Sequence, residues 1–140
     1  MDKNTLIDTI LARPLHRACG LTLVRGADGE SEVTLELNDF TLGPTGDLHG
    51  GILYAFFDVA SFLALLSVLP EDRYAVSIET HTSLLRGARG EGRIVIRTRV
   101  DRLGRTLASM RGEAFFQAAD GTEKLIATGS VTKAVVSKSA

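Results

Sequence analysis

The sequence has no tryptophan, one cysteine and three prolines in 140 residues. A lone cysteine, Cys19, excludes an intrachain disulfide framework and suits a reducing compartment. It has no context that would mark a nucleophile, so it reads as a small buried residue. Three dispersed histidines and one cysteine give no metal-ligand spacing, and no metal or other cofactor is expected. Charge of one sign is also missing. The net charge of -1 supplies no field to gather nucleic acid or an anionic membrane surface. There is no serine nucleophile-elbow motif and no glycine-rich phosphate loop. Met1-Asp2-Lys3-Asn4 opens onto an amphipathic stretch rather than the apolar core of a signal peptide, so a cytoplasmic location is expected. Only residues 52–69 approach the length of a bilayer-spanning helix, and they contain Asp58. Holding that carboxylate in a bilayer is costly, and the flanks, Asp47 and Glu71-Asp72-Arg73, carry no positive cluster. The stretch reads as a core helix.

What is present fits one domain of 140 residues, with 44% hydrophobic and 24% charged side chains. Leu6, Ile7, Ile10 and Leu11 recur at helical spacing over residues 5–12, with Asn4 available as a cap, and residues 15–20 can hold one more turn. Residues 21–25 read as a short strand, and Gly26-Ala27-Asp28-Gly29 as a hairpin turn. From Ser31 the pattern alternates, with Val33, Leu35 and Leu37 on one face. Gly43, Pro44 and Gly46 mark a loop, and a long helix, apolar nearly all round, runs from near His49 to Pro70. Four strands follow. In the first, Val76, Ile78, Thr80, Thr82 and Leu84 alternate with Ser77, Glu79, His81 and Ser83. The next carries Ile94 and Ile96 between arginines, the third Ala108, Met110 and Ala114, and the last spans about residues 124–135. Strands joined by short turns should pair antiparallel, and a sheet apolar on one face must cover the one helix that is greasy all round. The expected class is α+β, an antiparallel sheet wrapped around one long central helix.

Two features could carry chemistry. Asp58 is the single carboxylate in an apolar stretch, and such groups are retained mainly where a partner or a function exists. A subunit interface that donates hydrogen bonds to it would serve equally well. The second feature is Leu48-His49-Gly50-Gly51 at the helix start, where backbone N–H groups lack partners and the helix carries partial positive charge. Two glycines allow a ligand to approach the backbone, as an oxyanion hole requires, although Gly-Gly alone is more often a plain turn. Gly50 and Asp58 are eight residues apart, about 12 Å along one helix, so one acyl carbonyl cannot touch both. If they cooperate, the carboxylate comes from a second copy across a two-fold axis. An obligate homodimer, or a tetramer as a dimer of dimers, is expected.

At these residues the sequence resembles the PaaI-like branch of the hotdog-fold thioesterases. The shared pattern is a glycine, then His-Gly-Gly, then an acid nine residues after the histidine, here Gly46, His49-Gly50-Gly51 and Asp58. It continues through Val76-Ser77-Ile78-Glu79, Arg86-Gly87-Ala88, Gly104-Arg105-Thr106-Leu107 and Ile126-Ala127-Thr128-Gly129, roughly residues 21–132. The resemblance implies a hotdog fold and metal-free hydrolysis of an acyl-CoA thioester. It implies that the Gly50 N–H polarises the carbonyl, that the partner's Asp58 acts as nucleophile or general base, and that His49 orients the loop. Ser77 matches a serine that helps position water in some relatives. Gly51 and Gly43 would border the substrate, and Arg102 and Arg105 match positions where relatives place cations for the CoA phosphates.

One departure stands out: relatives often carry asparagine six residues before the histidine, where this chain has Gly43. Asn38 and Thr45 are candidates to replace that amide. His81 reads as a sheet-face or interface residue; His16 could cover the site mouth, although surface placement is the commoner outcome. The rival functions are a hotdog hydratase or dehydratase, whose acid is spaced differently from its histidine, and a non-catalytic acyl-CoA binder. A transcriptional effector would need a DNA-binding segment, and no basic helix-turn-helix is present.

Overall fold

The computed structural model describes residues 1–138. In chain order these form α1 (Lys3–Ala12), α2 (Pro14–Ala18), β1 (Thr22–Ala27), β2 (Glu30–Glu36), α3 (Gly50–Leu66), β3 (Arg73–Leu84), β4 (Gly92–Leu103), β5 (Leu107–Ala118) and β6 (Glu123–Ser137). One six-stranded sheet has the order β1-β2-β4-β5-β6-β3, with every neighbouring pair antiparallel. It wraps α3, as the alternation and the apolar helix predict, in the hotdog arrangement that the resemblance implies.

Local differences have local causes. The cap of α1 is Asp2, whose carboxylate accepts from Thr5 N–H at 2.7 Å, so the helix begins earlier than Asn4 suggests. β1 runs on to Ala27 because the turn is confined to Asp28 and Gly29, both at positive φ. Not every short connection makes a hairpin. β3 pairs with β6 rather than with β4, which follows it. The seven-residue connector 85–91 can reach about 23 Å, more than the three strand spacings, about 14 Å, that it must cross.

The helix is keyed to the sheet at one point. Gly112 of β5 lies opposite Gly129 of β6, and a Cβ at either would stand 3.3 or 2.6 Å from the ring of Phe57. The absent side chains let this fully buried ring rest on the backbone. One turn on, Ser31 of β2 and Thr98 of β4 donate their hydroxyls to the Ala60 carbonyl at 2.8 and 3.0 Å. Leu35, Ile94, Ile96, Met110 and Val131 close the core around Phe56, Phe57 and Leu63. Cys19 is buried too, and burial raises its thiol pKa, in keeping with a packing role.

Two surfaces of the chain stay open. Along α3, Gly51, Tyr54, Ala55, Asp58, Val59 and Phe62 form a partly exposed stripe at helical spacing. β3 is an edge strand whose Val76 and Ile78 are 45% and 58% exposed. Its alternation is not the single register that the sequence suggests. A bulge between Ser77 and Glu79 shifts the phase, so Ala75 and Ser77 face α3, while beyond it Thr80 and Thr82 are half-buried and His81 is exposed. Among the described residues no helix is long and apolar enough to cross a membrane.

Candidate active site

The N-terminus of α3 is assembled by a loop folded back on itself. His49 has extended backbone at φ -67 and ψ 126, and its Nδ1 accepts the Gly51 N–H at 2.9 Å. The imidazole is therefore the helix cap, with its remaining proton on Nε2. His49 N–H donates to the Thr41 carbonyl and Leu48 N–H to the Ala88 carbonyl, both at 2.8 Å. Ile52 N–H returns to the His49 carbonyl at 3.0 Å. The Gly50 N–H has no protein acceptor among the described residues. It borders a cleft of about 320 Å³ lined by Leu48, Leu53, Leu84 and Ile126, with Arg86 at its edge.

A bidentate ion pair ties this loop to the connector before β4. Arg89 Nε and one terminal nitrogen each reach an oxygen of Asp47 at 2.9 Å, and that nitrogen also donates to the Thr45 carbonyl at 2.8 Å. The guanidinium holds the Asp47 carboxyl below its ordinary pKa. A depressed carboxylate contributes stability above the ordinary carboxylate range and loses it as pH falls through the folded-state value. Asp47→Asn should therefore melt below wild type at neutral pH, with the gap narrowing as pH falls below the ordinary carboxylate range. Melting curves at neutral and at strongly acid pH check this, and a gap that stays the same in acid rejects it.

Gly43 sits against this cap. A Cβ there would stand 3.9 Å from His49 Cδ2, so the glycine leaves one side of the imidazole open. Neither candidate replaces the missing amide. Asn38 is committed to a turn, accepting from Phe40 and Thr41 N–H and donating to the Ala18 carbonyl. Thr45 reaches only Asp47, at 3.5 Å.

Two turns along α3 lies the second group. Asp58 is 36% exposed rather than buried, because it falls on the open stripe of the helix. Ser77 Oγ donates to Asp58 Oδ1 at 2.6 Å, and Lys133 Nζ donates to the same oxygen at 2.9 Å. Lys133 Nζ also lies 2.6 Å from Ser77 Oγ and 5.2 Å from the centre of the Phe62 ring. The three polar residues line a cavity of about 310 Å³ with Ile10, His16, Val59, Phe62, Ala75 and Val76. His16 is thus not a surface residue. α2 folds its ring to 5.4 Å from Phe56, edge to face, and its Nδ1 meets the Ile10 carbonyl at 2.6 Å. Sequence reasoning missed Lys133 altogether, although it shares strand parity with the buried Val131 and Val135.

Within one chain the residues named from the sequence form two groups, His49-Gly50-Gly51 with Gly43, and Asp58 with Ser77. Arg102 and Arg105 join neither. They are exposed at the β4–β5 corner and free of side-chain partners among the described residues. Register places that corner at the Asp58 end of the sheet: Leu103 opposes Ala108, Ala108 opposes Lys133, and Lys133 opposes Ser77. Another cleft, about 430 Å³, lies on the opposite sheet face, and its cations are committed. There Arg97 pairs with Glu32 and Glu123, and Arg111 with Asp101.

This is the architecture of a known class. The family model of the thioesterase superfamily matches residues 45–123, from the loop before His49 to the start of β6, and the chain belongs to that family. A thioesterase family protein from Silicibacter pomeroyi superposes with a TM-score of 0.86 at 26% identity, covering 96% of this chain and 97% of that one. A point mutant of the phenylacetic acid degradation protein PaaI from Thermus thermophilus gives a TM-score of 0.74 at 30% identity, over 87% and 98% of the two chains. A curated Deinococcus radiodurans protein, named as a candidate esterase, is 36% identical over 94 residues. That match spans 67% of this chain and 62% of the relative's length.

Proposed function

We propose that the protein hydrolyses an acyl-CoA thioester, giving the free acid and CoA, in a site shared by two copies of the chain. The observation that carries the reading is the unpartnered Gly50 N–H at the tip of α3, bordering a cleft lined by Leu48, Leu53, Leu84 and Ile126. A thioester oxygen placed there accepts a hydrogen bond that strengthens as charge develops on it, aided by the helix dipole. Asp58 supplies the other half from the neighbouring copy. Its carboxylate either attacks the carbonyl carbon, expelling CoA thiolate and leaving an anhydride for water to cleave, or takes a proton from the attacking water. The exposed stripe on α3 and the unpaired apolar edge of β3 are the surfaces a second copy would cover.

The acyl group would enter the cavity beside Asp58, lined by Val59, Phe62 and Ile10. For the CoA phosphates, Arg102 and Arg105 remain candidates. Arg86 is another, since it borders both the Gly50 cleft and an adjoining one that holds Lys124 and Phe116. A buried free cysteine and an acyl-CoA substrate both suit the cytoplasm.

Purified protein offered acetyl-, hexanoyl- and phenylacetyl-CoA, with free thiol as the readout, should release CoA from at least one. Binding of all three without thiol release would make it an acyl-CoA binder, the role that the open position at Gly43 favours. Neither binding nor release would end the reading.

A further inference from the structure

Among the described residues Lys133 is the only charged residue that is buried, with a side chain 4% exposed. Its strand position alternates with the half-buried Thr132 and Ala134 and faces α3 beside Val131 and Val135. An apolar side chain at that place would extend the core without the cost of desolvating an ammonium. The cation is matched there by the Asp58 carboxylate, the Ser77 hydroxyl and the face of Phe62.

We propose that Lys133 is a positioning residue for the reacting carboxylate: with Ser77 it ties down Asp58 Oδ1 and leaves Oδ2 as the oxygen that meets the substrate. The inference rests on the reading of Asp58 given above. The hydrogen-bond inventory makes the case. Oδ1 accepts from both Ser77 Oγ and Lys133 Nζ, and Oδ2 accepts from no donor among the described residues. Ser77 gives its single proton to Asp58 and one lone pair to Lys133, so one lone pair remains. Ser77 can then accept a hydrogen bond from a water but cannot donate one. Two charge-assisted bonds on one oxygen fix the plane of the carboxyl group, which an exposed aspartate on an open helix face would otherwise sample broadly.

The test compares kcat and KM of wild type, Lys133→Met, Lys133→Arg, Ser77→Ala and Asp58→Asn on the fastest acyl-CoA of the panel. Lys133→Met is expected to lose roughly 10- to 100-fold in kcat with little change in KM, the signature of a misaligned reacting group. Lys133→Arg, which keeps charge and donors, should retain more kcat than the methionine variant. Ser77→Ala should lose less than Lys133→Met, because it keeps the charged Lys133–Asp58 bond, whereas the methionine variant leaves only the neutral hydroxyl bond from Ser77. Normal kcat in Lys133→Met beside an inactive Asp58→Asn overturns the proposal and leaves the hydrolase reading intact. Equal losses in the methionine and arginine variants, or a rise in KM alone, overturn it too, since packing or substrate contact would then explain the lysine. Turnover by Asp58→Asn overturns the reading underneath. Should Lys133→Met fail to fold, Lys133→Gln is scored by the same criteria.

Discussion

Replacing Asp58 by alanine or asparagine is expected to abolish thioester hydrolysis, a loss of roughly 10²- to 10⁴-fold or more. The two replacements differ in what they do to the fold. Asp58 is half-exposed, so alanine sacrifices little packing, but it strands the Lys133 ammonium in a site only 4% open to solvent. Alanine should therefore lower the melting temperature as well as kcat. Asparagine keeps an oxygen where Ser77 and Lys133 donate, and removes only the charge and the second reactive oxygen. Its melting temperature should fall less while its activity falls as far. Thiol release and thermal melts on the two variants separate chemistry from folding. Near-normal turnover in either rejects Asp58 as the reacting group.

Gly50→Pro should cost about 10²- to 10³-fold in kcat, the usual loss on removing one oxyanion donor. Alanine would not test the idea, since it keeps the N–H. Proline removes that donor, and the position is permissive. Gly50 is the first residue of α3, where proline is favoured, and His49 already has the extended backbone that a residue before proline requires. A side chain at Gly50 would press on Leu84 Cδ1, the far end of a flexible side chain that can turn aside. If sites are composite, Gly50→Pro and Asp58→Asn should rescue each other. A mixed dimer regenerates one intact site, so random pairing of equal amounts should restore about a quarter of wild-type activity. Confirmed mixed dimers with no activity would rule out a site divided between chains.

The sequence made α3 legible because its only charge is Asp58 and because His-Gly-Gly marks the start. His49 caps α3 through its Nδ1. Other parts were hidden for physical reasons. The bulge after Ser77 breaks the period-two pattern, so Val76 and Ile78 do not share a face with Thr80 and Thr82 as continuous alternation suggests. Pairing of β3 with β6 depends on a connector long enough to skip strands, which turn composition does not disclose. Lys133 was passed over because lysines are usually solvated, and only its parity with Val131 and Val135 hints otherwise. His16 depends on how α2 folds back after Pro14, a tertiary matter. The exposed arginines carry no signal that distinguishes a phosphate grip from a solvated surface.

The ring of Phe57 on the Gly112–Gly129 pair has a bearing on the chemistry, because Phe57 and Asp58 are consecutive. A peg seated in a notch two glycines wide stops the rod from turning or sliding, and so aims the next residue along it. The heading of the carboxylate is set first by hydrocarbon against bare backbone, before any proton is shared. The cavity wall at Val59 lies beyond this peg, so its shape could vary without turning the carboxylate.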